Sequence, residues 1–133
     1  MEKKYNDPTH LRPEGKRLID APSVHIDLNA FRDQIKSEIT WQKNDRNAIT
    51  VFKNDTMRLV LVALHKNAVM DEHATDGTIN IQLLEGQIEF TTPDKTQALK
   101  KDQIVALNGG IPHSLKALEE SVFLLTLTNP SLI

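Results

Sequence analysis

From Ala48 onward the chain is cut into short runs of aliphatic and β-branched residues, and this punctuation constrains the fold more than any other feature. The runs are Ala48–Phe52, Met57–Leu64, Thr78–Leu84, Gln87–Thr91, Ile104–Leu107, His113–Leu118 and Val122–Thr128. Between them stand Asn54-Asp55, Asp76-Gly77, Glu85-Gly86, Pro93-Asp94 and Asn108-Gly109-Gly110-Ile111-Pro112, all rich in residues that accept turn dihedrals. Glu119-Glu120 makes one more tight reversal. In Thr78–Leu84 the residues Ile79, Ile81 and Leu83 share one face while Asn80 and Gln82 share the other. That period of two marks a half-buried strand with its apolar face toward a core. Asn80 and Gln82 then become candidates for cross-strand or subunit contacts. Many short strands at near-regular spacing predict an antiparallel sandwich or barrel.

Upstream the period changes. Leu28, Phe31, Ile35 and Ile39 fall three and four apart, one face of an amphipathic helix near 28–38, and Asp27 is placed to cap it. Trp41 follows as a packing anchor. Residues 1–22, punctuated by Pro8, Pro13, Gly15 and Pro22, read as an extended arm with Leu18 and Ile19 as its anchors. Residues 23–133 are expected to form a single domain, since 133 residues suit one core.

Composition narrows the chemistry. The chain has no cysteine, so thiol catalysis and sulfur metal sites are excluded, and any metal must be held by nitrogen and oxygen donors. Sixteen basic against eighteen acidic residues, with no basic cluster and 5% aromatics, argue against nucleic acid as a partner. The longest purely apolar run, Leu59–Leu64, is far short of the about 20 residues that a bilayer span needs. No apolar stretch follows Met1-Glu2-Lys3-Lys4, so no secretory signal is expected and cytoplasmic residence is the default.

Two stretches carry a family resemblance. The first runs from Asp71-Glu72-His73 through Gly77 to Leu84-Glu85-Gly86, and the second from Gln103 through Asn108-Gly109-Gly110-Ile111-Pro112-His113-Ser114. Over about residues 57–128 the chain resembles the cupin superfamily, whose first motif is G-x5-H-x-H-x(3,4)-E-x6-G and whose second is G-x5-P-x-G-x2-H-x3-N. Position by position, Asp71 and His73 fall in the two histidine slots and Ile79 in the glutamate slot, with one residue more between His73 and Ile79 than the pattern allows. In the second motif Gly110 and His113 are kept, while Asp102, Asn108 and Ala117 replace glycine, proline and asparagine.

The resemblance implies a mainly β protein: a cupin-type double-stranded β-helix, or jelly-roll barrel, with one N-terminal helix, and a homodimer as small cupins generally are. It also implies that His73 and His113 point into one barrel mouth, as ligand-binding or metal-binding residues. Asp71 is a candidate third, oxygen ligand, although a turn aspartate has local hydrogen-bonding reasons of its own. His65, at the end of Met57–Leu64, is a candidate substitute ligand against the plainer reading of a strand-end surface histidine. His10 and His25 lie in or beside the arm, Glu85 is expected to be solvated in its turn, and no Ser-His-Asp set can be assembled. Two functions remain open at this point. One is a module binding a small polar metabolite in the barrel. The other is a cupin enzyme of dioxygenase, isomerase or decarboxylase type that uses iron, manganese, nickel or zinc.

Overall fold

Residues that alternate along the strands sort into two apolar faces, and the two faces build two cores. The computed structural model describes residues 2–13 and 15–128, so the domain end expected at 133 lies outside the described residues. In order, the elements are β1 (Lys4–Asn6), β2 (Arg17–Asp20), α1 (Leu28–Ser37), α2 (Ile39–Lys43), β3 (Arg46–Lys53), β4 (Met57–Leu64), β5 (Val69–His73), β6 (Ile79–Glu85), β7 (Gln87–Thr91), β8 (Thr96–Lys100), β9 (Ile104–Leu107), β10 (His113–Ala117) and β11 (Ser121–Thr128). A five-stranded sheet has the order β3-β4-β11-β6-β9, a four-stranded sheet the order β5-β10-β7-β8, and β1 pairs with β2. All pairings are antiparallel.

The larger core fills the space between the two sheets. Val60, Val62, Ile79, Ile81, Leu83 and Phe123 enter it from the five-stranded sheet, and Ile88, Phe90, Leu99, Leu115 and Ala117 from the four-stranded one. Burial of each large side chain contributes roughly 1.5–3 kcal/mol. The second core lies on the opposite face of the five-stranded sheet, where Ile49, Val51, Leu61, Ala63 and Val122 meet Ile35 and Trp41 of the helices. This explains why β4 reads as an unbroken apolar run: both of its faces are covered.

Asp27 caps α1 by accepting from the backbone N–H of Asn29 (3.0 Å) and Ala30 (3.3 Å). The helix stops at Ser37 because Glu38 is extended, with ψ 150°, and the short α2 begins afresh. The break shifts the phase. Ile39, expected on the buried helix face, is 47% exposed, and Trp41 takes the inward place.

The arm is structured. Tyr5 pairs with Leu18 across β1 and β2, and Ile19 and Ala21 are buried. Two arginines pin it to the barrel: Arg12 donates from Nε and Nη2 to the Glu38 carboxylate at 2.7 Å each, and Arg17 Nε donates to the Thr50 carbonyl at 2.7 Å. Among the described residues no helix is long and apolar enough to cross a membrane.

Candidate functional site

His113 opens β10, immediately after the Asn108–Pro112 turn. Gly110 donates its backbone N–H to the Thr75 carbonyl at 2.7 Å. Gly109 lies so close to Asp76 that a Cβ there would collide with the Asp76 carbonyl. This contact between two turns fixes where β10 starts. His113 is 3% exposed, and its ring stacks on Phe90, with centroids 5.7 Å apart and planes at 22°.

His73 reaches it through an irregularity in β5. Leu115 pairs with Met70, and His113 pairs with His73, so three steps along β5 oppose two along β10. Met70 packs against the larger core. In a regular strand a residue three places on would face outward. The extra residue in β5 is a β-bulge, and it turns His73 back toward His113. The two ring centroids are 4.4 Å apart, with planes tilted by 56°.

The two imidazoles are held alike. The ring Nδ1 of His73 meets the Asp71 carbonyl at 2.9 Å, and that of His113 meets the Ile111 carbonyl at 3.0 Å. A carbonyl can only accept, so each Nδ1 carries a proton, and a ring that is neutral then holds its lone pair on Nε2. A cavity of about 290 Å³ has Phe90, Val105, Leu107 and Ile111 among its walls and Lys95, Gln97 and Asn108 among its polar residues; neither histidine lines it. Phe90 and Ile111 thus serve both the cavity and His113.

The other candidate ligands lie elsewhere. Asp71 belongs to β5 and not to a turn. Its carboxylate joins Asp45 in holding the Arg46 guanidinium above its ordinary pKa: the Asp45 hydrogen bond does most, burial opposes it, and the charges of Asp45 and Asp71 add to the rise. Arg46 also donates to the Val69 carbonyl at 2.6 Å. Ile79, in the glutamate slot, is 3% exposed and part of the core. His65 is not a plain surface histidine. It is half-buried, stacks on Trp41 with centroids 3.4 Å apart, and meets the Trp41 carbonyl through Nε2 at 2.8 Å. Glu85 is not simply solvated either, because Lys36 Nζ donates to it at 2.7 Å. His10 and His25 are exposed.

Among the described residues no three His, Asp or Glu side chains converge as a set that could hold a metal ion. The residues present therefore do not fit a divalent centre with three protein ligands; they supply two imidazole nitrogens. Sequence reasoning missed Phe90 as the wall of the pair and the Ile111 carbonyl as its support. The alternation of Ile88 and Phe90 signals inward positions, but no pattern signals a ring stack.

A jelly-roll barrel with paired histidines at the start of one strand and the bulge of its neighbour defines a small cupin-fold domain. Solved structures agree. A conserved protein of unknown function from Streptococcus pyogenes is 22% identical, covering 84% of this chain and 91% of that one, with a TM-score of 0.64. A cupin-2 domain protein from Shewanella frigidimarina is 14% identical over 78% of this chain and 94% of its own, with a TM-score of 0.64. Salicylate 1,2-dioxygenase from Pseudoaminobacter salicylatoxidans is 16% identical with a TM-score of 0.65, covering 74% of this chain but 31% of that enzyme. No protein-family model and no curated protein matches the chain. The chain has the cupin fold.

Proposed function

We propose that the protein is a binding module for a small polar metabolite, held by His73 and His113, with its body reaching past Phe90 and Ile111 toward the cavity that those two residues line. The observation that carries this reading is the paired imidazoles, both fixed through Nδ1 and both offering Nε2. Neutral rings accept a hydrogen bond from a hydroxyl or amide, and protonated rings donate to a carboxylate, so the site suits a ligand with oxygen functions. Phe90 supplies an apolar wall against which a carbon skeleton packs. A thermal-shift screen of small sugars and organic acids tests the reading, with hits re-measured by calorimetry on His73→Ala and His113→Ala. A hit lost in both variants supports it; a uniformly flat screen defeats it.

A second reading, a cupin enzyme dependent on iron, manganese, nickel or zinc, draws on one specific feature. Metal-binding histidines characteristically have the second ring nitrogen held by a carbonyl or carboxylate, as both rings are here. Elemental analysis after brief dialysis decides it. Stoichiometric metal in the parent, absent from both alanine variants, would favour the enzyme; background metal after loading with each ion would end that reading. We propose also that the protein is a homodimer, since β9 is an edge strand with Ile104 53% exposed. Light scattering that returns the monomer mass at micromolar concentration would overturn this.

A further inference from the structure

Asn108 and Gly109 follow β9 in the exposed turn that leads to His113, and they are the chain's only asparagine–glycine pair. Such a pair can react with itself. The backbone nitrogen of the second residue attacks the side-chain amide carbon of the first, and a glycine there has no Cβ to obstruct the approach. A hydrogen bond that holds either group restrains the reaction in a folded chain. Here neither is held: among the described residues the Asn108 side chain has no hydrogen-bond partner, and nothing accepts from the Gly109 N–H.

Other asparagines are placed differently. Asn54 Oδ1 accepts from the N–H groups of Thr56 (2.9 Å) and Met57 (2.8 Å), and Asn44 Nδ2 donates to the Thr40 carbonyl at 3.0 Å. Asn47 Nδ2 donates to the Ile35 carbonyl at 2.9 Å, while its Oδ1 accepts from the very N–H that would have to attack, that of Ala48, at 2.9 Å. After Asn67, the Ala68 N–H is spent on the His65 carbonyl at 3.0 Å.

We propose that Asn108 is a site of spontaneous deamidation, through which ageing alters the turn that positions His113. Solvent base takes the Gly109 amide proton, the nitrogen bonds to Asn108 Cγ, and the Cγ–Nδ2 bond breaks as ammonia leaves with a proton from water. The cyclic imide then adds water at one of its two carbonyls and opens to aspartate or isoaspartate. One water is consumed and one ammonia released, with no change of oxidation state. Either product puts a carboxylate on the wall of the cavity that Asp94 and Lys95 also line. Isoaspartate, in addition, lengthens the backbone by one carbon between the end of β9 and the Gly110 N–H that is anchored on Thr75. That anchor and the packing of Gly109 on Asp76 restrict the turn, so the reaction runs more slowly in the folded chain than in the unfolded one. The modification does not depend on what the imidazoles bind.

The test is ageing of the full chain at physiological temperature, at neutral and at mildly alkaline pH, with samples taken over weeks and digested briefly with trypsin. Cleavage after Lys101 and Lys116 releases a peptide, residues 102–116, whose only asparagine is Asn108. The mass gain of an amide-to-acid change in that peptide, and an isoaspartate fragment signature at position 108, report the reaction; fresh protein digested alongside sets the background. Acid and isoacid forms should accumulate at Asn108 ahead of every other asparagine, and faster as pH rises. Asn108→Gln should remain unmodified there, because its longer side chain must close a larger, less favoured ring. The aged parent should unfold at a lower temperature than the fresh one, and aged Asn108→Gln at the same temperature as fresh. Intact Asn108 after weeks in the folded protein, or another asparagine that reacts first, overturns the proposal. A fully modified chain with the unfolding midpoint of the fresh one overturns the alteration of the turn.

Discussion

Replacing Glu38 by glutamine should loosen the arm and destabilise the domain by a predictable amount that vanishes in acid. Glu38 is the hub of a polar cluster between arm, helix and barrel: its carboxylate accepts from Arg12 at 2.7 Å twice, from Asn47 at 3.0 Å and from Gln34 at 3.1 Å. The side chains of Glu38 and Arg12 are only 10% and 19% exposed, so solvent screens the pair weakly. Glutamine keeps the shape but turns one acceptor oxygen into a donor NH₂, which must face a donor of Arg12, Asn47 or Gln34. A charge-assisted hydrogen bond contributes about 1.5–3 kcal/mol, and an orphaned buried donor forfeits a similar amount, so a net loss of about 2–3 kcal/mol is expected. For a domain of this size that lowers the melting midpoint by roughly 10 °C. Burial pushes the Glu38 pKa up, but the bonds from Arg12, Asn47 and Gln34 outweigh it and hold the carboxyl below its ordinary value of 4.5. A group depressed in the folded state stabilises fully above its unfolded pKa and loses that contribution as pH falls through the folded value. Urea unfolding of parent and Glu38→Gln at neutral pH and at steps below about pH 4.5 should therefore show a gap that narrows in acid. A gap under about 0.5 kcal/mol at neutral pH, or one that persists undiminished down to about pH 3, would refute the clamp.

Three further outcomes follow from single contacts. Gly86 has a φ of +85°, and a Cβ there would collide with the Glu120 carbonyl and Ser121 Oγ, so Gly86→Ala should destabilise by about 2–4 kcal/mol; an unshifted urea midpoint would contradict the packing of that turn. Deleting Glu72 leaves His73 two places after Met70, where regular alternation keeps it on the His113 side; the deletion protein should fold, keep its far-UV circular dichroism and keep the ligand response of the parent, and a lost response would show that the bulge itself is needed to aim His73. Trp41 is the only tryptophan and lies against His65, so His65→Ala should change its fluorescence yield and destabilise by about 1–2 kcal/mol; identical emission spectra would sink the stack.

What the sequence could and could not convey follows from where each signal resides. Met57–Leu64, Gln87–Thr91 and Ile104–Leu107 are legible to the residue as β4, β7 and β9, because β-branched and aliphatic residues with turn residues at both ends are a local signal. β5 and β8 are not. Val69-Met70-Asp71-Glu72-His73 and Thr96-Gln97-Ala98-Leu99-Lys100 are edge strands of the four-stranded sheet, mostly exposed and carrying few apolar residues. Their strand character comes from pairing with β10 and β7, which no local window contains. Glu85 and His65 elude a local reading for the same reason: the partners that hold them, Lys36 and Trp41, sit on helices distant in sequence.

The four family ligand slots show how the fold redistributes what a motif suggests. Ile79 is packed into the larger core, and the Asp71 carboxylate lies within the influence of Arg46, so neither joins the imidazoles. Ala117, in the second motif's asparagine slot, is fully buried and packs in the same core. Of these slots only those of His73 and His113 bring their side chains together, and each ring spends one nitrogen on the backbone two residues before it. Two nitrogens at fixed spacing beside an aromatic wall can orient a ligand, but they leave a divalent ion without the third protein donor that catalytic centres usually possess. The binding reading therefore requires nothing that the chain lacks, whereas the metal reading requires a donor from the ligand, from water or from a second subunit. Elemental analysis, with and without a bound metabolite, separates those requirements.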